Sequence, residues 1–242
     1  MKIKETAEFC YPEYMDVIYE GFYDNDALCK KADQQWRCNL RTLGCYRKLV
    51  NSVITEIHNG QRVCQFGIVF GDQIEQTANM IGRAGTYDII DINKNVIKRS
   101  NDKYTANFSQ IKLKHGDAAK IKPVATYDAV ICFLLLSMVP QDHKKYIINN
   151  ALHLIKPKGK AIFVDWHKPL RWNPIEWPIK MYNRLYYPFV EDLWNYNISD
   201  FVKEKKSQFA WTTQLYGYGL FQKTVAVRKP EDDQTDFMQL YL

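Results

Sequence analysis

The stretch YDAVICFLLLSMV, residues 127–139, contains one charged residue and is otherwise almost wholly apolar. A strand with one wet face alternates apolar and polar residues. A strand buried on both faces reads as a continuous apolar run. Burial on both faces needs helices on each side of the sheet, and crossover connections between parallel strands put them there. This run therefore points to an α/β architecture.

The neighbouring segments repeat that logic. RVCQFGIVFG (62–71) reads as a strand entering a glycine turn, and DQIEQTANMIGRA (72–84) as a helix. GTYDIIDIN (85–93) is a second strand ending on an acid, NKNVIKRSNDKY (93–104) a helix, and IKLKHGDAA (111–119) a short third strand. After the apolar run come an amphipathic helix in QDHKKYIINNALHLI (141–155), a turn at KPKG, and a fifth strand in KAIFVDW (160–166). Strands alternating with helices at this spacing predict a doubly wound, mostly parallel sheet. TTQLYGYGLFQKTVAVRK (212–229) alternates between glycines and suggests an antiparallel C-terminal hairpin. Upstream, YMDVIYEGFY and LRTLGCYRKLVNSVITEI carry apolar residues at three- and four-residue steps, predicting a helical cap.

The 242 residues fit one domain, and no repeat, low-complexity stretch or linker divides it. It is expected to comprise a helical cap (1–59), a sheet core (60–165), an aromatic-rich helical insertion (166–205), and a hairpin with its tail (206–242). Net charge is +6, concentrated in residues 94–122, where eight Lys/Arg face two acids, while the tail EDDQTD is acidic. That balance permits an anionic partner. The basic stretch carries no nucleic-acid recognition module, so no nucleic-acid partner is expected. The six cysteines form no CxxC pair and read as reduced core thiols. No apolar run is long enough to span a bilayer, and MKIKETAEFCYPEY lacks the features of a secretory or transit peptide.

In an open α/β sheet, ligands bind beyond the carboxyl ends of the strands. Gly67–Asp72, Asp91, Asp117, Phe133–Ser137 and Asp165–His167 all fall at such ends and converge on one crevice. Laid end to end, these elements resemble the class I SAM-dependent methyltransferases of the ubiquinone/menaquinone C-methyltransferase kind. The family's V-L-D-x-G-C-G-T-G turn falls on Val63–Gly71, its ribose-binding acid on Asp91, its GDA on Gly116, Asp117 and Ala118, and its LKPGG turn on Ile155–Gly159. Gln65 stands where that family has an acid, and Val69 where it has a glycine. The same departures, with FLLLSMVP, VDWHKP, FVEDLW and GLFQKTVAVR, resemble the RquA-like rhodoquinone biosynthesis branch over nearly the whole chain.

That second resemblance implies a Rossmann-like fold with a seven-stranded sheet. It also implies replacement of a ring methoxy group of ubiquinone by an amine, with SAM as nitrogen donor and a divalent metal, manganese being typical. The alternative is a SAM-dependent methyltransferase of a quinone or lipid precursor. A non-enzymatic accessory subunit that kept the fold is a third reading. The cofactor residues expected by alignment are Gln65, Gly67, Val69, Gly71, Asp91, Ile92, Asp117, Ala118, Phe133 and Leu134.

The residue chemistry bears on each reading. An acid beside an amine favours its protonated form, which has no lone pair, whereas a neutral amide favours protonation less. Gln65 thus suits a nitrogen nucleophile, with drift in a degenerate site as the plainer explanation. Val69 adds bulk where glycine permits close approach and resists a left-handed backbone. Asp165 and His167, two apart at a strand end, have workable spacing for a hard metal ion, with Glu191 or Asp192, and Asp72, as candidates to complete the set. Asp72 is a further candidate acid. His167 is a candidate general base, since imidazole ordinarily titrates near neutral pH.

Between 166 and 198, aromatic residues alternate with Arg and Lys. Trp166, Trp172, Tyr186 and Trp194 are expected to line a pocket for a flat quinone ring, or else to complete the core. Aromatic residues beside basic ones also suit a membrane interface. Peripheral membrane association is therefore expected, at the mitochondrial inner membrane in a eukaryote or the cytoplasmic face of the inner membrane in a bacterium.

Overall fold

The computed structural model describes residues 12–15, 25–121, 124–169 and 176–229. Strands β1 (Arg62–Phe66), β2 (Thr86–Asp91), β3 (Ile111–His115), β4 (Tyr127–Phe133), β5 (Ile155–Trp166), β6 (Phe209–Tyr216) and β7 (Phe221–Arg228) form one sheet in the order β3-β2-β1-β4-β5-β7-β6. The first five are parallel, and β7 runs antiparallel to both β5 and β6. The doubly wound sheet with an antiparallel hairpin is thus as expected. The order reverses between β1 and β4, which opens a crevice at the ends of those strands.

Helices α1 (Asp26–Ala32), α2 (Gln35–Arg41) and α3 (Tyr46–Ile54) precede the sheet. Helices α4 (Gln73–Ile81), α5 (Lys94–Tyr104) and α6 (Gln141–Leu154) connect its strands, and α7 (Glu176–Tyr186) and α8 (Glu191–Asn195) form the insertion. The break between α2 and α3 falls where Leu43 and Gly44 both take left-handed backbone, at φ 50° and 81°. Most of YMDVIYEGFY, Trp172 and the acidic tail lie outside the described residues.

The strand faces carry two apolar cores. One packs Tyr46, Leu49, Val53, Ile74 and Ala78 from α3 and α4 against Val63, Ile89 and Ile131. The other packs Ile147, Ile148, Ala151 and Leu152 from α6 against Cys64, Val130 and Phe163. β4 is sealed from both sides: Ala129 through Phe133 are each at most 1% exposed. One expectation is corrected. KPKG is not a turn ahead of β5 but a bulge within it, with Lys158 at φ 64° and the register slipping between Tyr127 and Ala129.

Candidate functional site

β1 ends at Phe66, and Gly67 turns the chain at φ +80°, its N–H donating to the Ile90 carbonyl at 2.8 Å. Gly71 closes the turn at φ +95°, where an added Cβ would lie 2.3 Å from the Tyr46 hydroxyl. Only glycine fits there. The Gly71 N–H donates to Asp33 Oδ1 at 2.7 Å, and Lys103 Nζ bonds both Asp33 Oδ2 (2.6 Å) and the Gly71 carbonyl (3.1 Å). Both glycines are therefore held by elements on either side of the turn.

Asp91, at the end of β2, accepts from Ile68 N–H through Oδ2 (2.7 Å) and from Asn93 N–H through Oδ1 (2.8 Å). Burial pushes this carboxyl up to about 6, with the backbone N–H donors of Asn93 and Ile68 opposing the shift. Each oxygen keeps acceptor capacity, which suits a vicinal diol. Asp91 lines a cleft of about 830 Å³ together with Gly67, Ile68, Val69, Phe133 and Leu134. Tyr46, Tyr182 and Tyr187 complete an aromatic wall, and among the described residues Arg41 and Arg184 are the other charged ones in the lining. Leu134 is held at φ 52°, with its N–H on the Val164 carbonyl at 2.7 Å.

Asp117 caps the short turn after β3, accepting from Ala119 N–H at 2.8 Å. Its buried Oδ2 has no hydrogen-bond donor among the described residues, the nearest cation being Lys120 Nζ at 3.8 Å. Such an acceptor fits an amino group on a heterocycle. Burial, and then the charges of Asp117 and Asp91, raise the Tyr14 phenol above its usual range, so this cap residue is close to both acids. The Ala118 carbonyl accepts from Asn150 (2.8 Å), and the Ile92 carbonyl meets His115 Nε2 at 2.9 Å.

Several other expected residues face away from the cleft. Gln65 has no exposed surface and bonds inward to Gln73, Tyr87 and the Gly67 carbonyl. Val69 lines the cleft but does not take the left-handed backbone of a glycine. Asp165, Glu191 and His167 do not assemble as a metal site. Both Asp165 oxygens are taken by the backbone N–H groups of Leu136 (2.8 Å), Ser137 (3.2 Å) and Trp166 (2.8 Å). Its carboxyl is raised by burial and opposed by these donors. It anchors the loop after β4. His167 Nδ1 donates to the Gly219 carbonyl at 3.0 Å, and Glu191 pairs with Arg184 on the surface at 2.8 Å. β5 ends at Trp166, so the alternation that placed Asp165 and His167 side by side stops between them. Among the described residues, no group of three His, Cys, Asp or Glu could hold a metal ion.

Asp72 pairs with Arg47 (3.1 Å) and accepts from Gln76, at the start of α4. Trp166 is wholly buried against Phe221, with ring centroids 4.3 Å apart, behind the tyrosine wall rather than in it. Trp194 packs partly buried on the same core, while Tyr186 does line the cleft mouth. The sequence reading missed Cys38, Arg41, Tyr46, Tyr182 and Tyr187, which reach the cleft from α2, α3 and the insertion. Nothing in their spacing marks them; only the packing of cap and insertion over the sheet brings them there.

Residues 63–159 match a family model described as a methyltransferase domain. Over 120 residues the chain is 27% identical to the ubiquinone/menaquinone biosynthesis C-methyltransferase UbiE of Pseudomonas paraeruginosa, covering 48% of this chain. It spans a little under half of that relative, 46% of its length. Among solved structures, the N-methyltransferase NodS from Bradyrhizobium japonicum, in complex with S-adenosyl-L-homocysteine, aligns with a TM-score of 0.58 at 12% identity, over 87% of this chain and 96% of that one. An O-methyltransferase family protein from Burkholderia thailandensis aligns with a TM-score of 0.61 at 12% identity, over 90% and 64%. Over its sheet core, residues 63–159, the chain is thus similar to the methyltransferase-domain family, and over most of its length its fold is that of these methyltransferase structures.

Proposed function

We propose that the protein is a SAM-dependent transferase whose substrate is a flat, lipid-borne ring of the quinone class, and that its reaction is methyl transfer. One observation carries this reading: Asp91, fixed between Ile68 N–H and Asn93 N–H, faces a cleft that one acid and an aromatic wall share. The carboxylate suits the ribose hydroxyls, Gly67 leaves the backbone open to close approach, and the unbonded Asp117 Oδ2 suits the adenine amine. Bound there, SAM would supply an electrophilic methyl group on sulfur. The chain's own part is to orient and to exclude water: Phe133, Tyr182 and Tyr187 offer ring faces against which a quinone packs. The quinone class is supported by the 27% identity to a protein described as a ubiquinone/menaquinone C-methyltransferase.

A second reading, amination of ubiquinone with SAM as nitrogen donor, is favoured by a specific feature. Among the described residues that line the cleft, Asp91 is the only carboxylate, so with Asp91 on the ribose the lining offers no second acid to hold an amine protonated. Asp165, His167 and Glu191 as placed do not fit a divalent ion. One experiment separates the readings: the protein is incubated with ubiquinone and a demethylated quinone precursor, plus SAM labelled either at the methyl carbon or at the amine nitrogen. Label from the methyl in the extracted lipid supports methyl transfer. Nitrogen label with loss of methoxy supports amination, and neither label in any lipid removes both.

The surface around the cleft supports docking on an anionic bilayer. Leu40 (66% exposed) and Leu43 line the mouth on the α2 side, beside Trp36, Arg37 and Arg41. Along α7, Trp177 (71% exposed), Met181 and Arg184 follow one another at four- and three-residue steps and form an outward stripe, with the half-buried Lys180 beside it. Aromatic and aliphatic side chains interleaved with arginine and lysine are the composition of interfacial helices. No helix of the described residues is long and apolar enough to cross a membrane.

A further inference from the structure

Beneath the glycine turn lies a polar cluster without exposed surface: Gln65, Gln73, Thr77 and Tyr87 are all at 0%. Gln65 and Gln73 exchange two hydrogen bonds, each Nε2 donating to the other's Oε1 at 3.0 Å. Gln65 Nε2 gives its second hydrogen to the Gly67 carbonyl at 3.0 Å, and the Tyr87 hydroxyl donates to Gln65 Oε1. Gln73 Nε2 gives its second hydrogen to Thr77 Oγ1 at 2.9 Å. Every amide hydrogen of the pair is used. The orientation follows from chemistry, because a carbonyl can only accept, so the nitrogen of Gln65 must face Gly67.

The Gly67 carbonyl and the Ile68 N–H belong to one planar peptide unit. One end of that plane is held by Gln65 Nε2; the other donates to Asp91 Oδ2 at 2.7 Å. We infer that Gln65 is a positioning residue: its amide, matched to Gln73, sets the peptide plane that aims and holds Asp91, and does not touch the cofactor. The neutral side chain is then required by its buried neighbours. A carboxylate at position 65 would turn oxygens toward two acceptors, the Gly67 carbonyl and Gln73 Oε1, in a site without exposed surface. This account rests on the cleft being a SAM site only for its ligand readout.

The test is Q65E, measured with and without SAM between pH 5 and 8. The introduced carboxyl, buried and facing acceptors, has a folded pKa above its unfolded value of about 4.3, so it binds a proton on folding. Relative to the wild type, Q65E loses thermal stability as pH rises from the unfolded toward the folded pKa, and regains it as pH falls and the protonated carboxyl donates to Gly67. In calorimetry, Q65E binds SAM about tenfold or more weakly than wild type at pH 8, and the deficit narrows at pH 6. If the new carboxylate instead met the ammonium of SAM, Q65E would bind as tightly as wild type or tighter at pH 8, which overturns the inference. So does an unchanged melting temperature across the range. Should Q65E not fold, Q73E serves: its carboxylate also faces Gln65 Oε1, so it shows the same pH-dependent loss, whereas indifference to Q73E counts against the pair. If wild type does not bind SAM, the proposed function fails while the ligand-free melting curves still decide on Gln65.

Discussion

Under the proposed function Asp91 is the side chain on which cofactor binding most depends, and its protonation is exposed to pH. Its carboxyl is raised by burial to about 6, with its N–H donors opposing. The ionised form is the one that accepts hydrogen bonds from two hydroxyls. SAM affinity measured by calorimetry is therefore expected to be flat from pH 8 to 7 and to weaken as pH falls through about 6. D91A should be weaker by about ten- to a hundredfold at pH 8, about 1.4–2.8 kcal/mol, and should lack this dependence. For the ligand-free protein the sign is opposite. A carboxyl whose folded pKa exceeds its unfolded value of about 3.9 costs stability at high pH, and that cost is relieved as pH falls from about 6 to about 4. Asp91 was readable from the sequence because an acid at the end of a second strand has few other places to go. Gln65 was misplaced for the opposite reason. Its position in the chain marks it as part of the turn, but whether a β1 side chain points to the crevice or to the core depends on Gln73 and Tyr87, which come from α4 and β2.

At the scale of elements, the cleft depends on a buried lysine that no motif marks. Lys144 of α6 is wholly buried and donates to the Val139 carbonyl (2.6 Å), the Phe189 carbonyl (2.8 Å) and Asp192 Oδ2 (2.7 Å). Burial lowers its pKa, and the Asp192 carboxylate opposes that shift. One ammonium thus ties the loop after β4, which lines the cleft through Leu134, Leu135 and Met138, to Phe189 and α8, next to Tyr187 of the tyrosine wall. K144M leaves a partly buried carboxylate and two carbonyls without their donor, at a cost of about 3 kcal/mol. The melting temperature should fall by roughly 6–12 °C. Turnover should fall more than SAM affinity, because Asp91 lies on β2, away from the clamp. Equal losses in both would mean that Lys144 serves the whole fold and not the wall. Asp165 acts similarly on the same loop, which explains why an acid in VDWHKP looked like a ligand: its oxygens are collected by backbone N–H groups that sequence spacing does not show.

For the whole molecule, the distribution of exposed apolar surface makes a prediction that the core does not. Trp36, Leu40, Trp177 and Met181 are each more than half exposed, on the two helices whose neighbouring residues form the cleft mouth. In flotation with vesicles containing phosphatidylserine, the protein should rise with the lipid at low salt and be released as salt screens its arginines. W36A/W177A should reduce the floated fraction several-fold while leaving melting unchanged, since neither ring is buried. Absence of binding to anionic vesicles would remove the bilayer from the account.

The sequence alone determined the α/β architecture and the site's location at the ends of the strands. Periodicity is a local property: an apolar run such as 127–139 has one stable environment, and a glycine turn between strand and helix has few geometries. Tertiary structure decided which side chains meet at the site. The cap and insertion fold over the sheet through contacts between residues far apart in the chain. Tyr46, Tyr182 and Tyr187 were brought into the cleft that way, and Gln65, Asp165 and His167 were turned from it by partners that no short stretch of sequence contains.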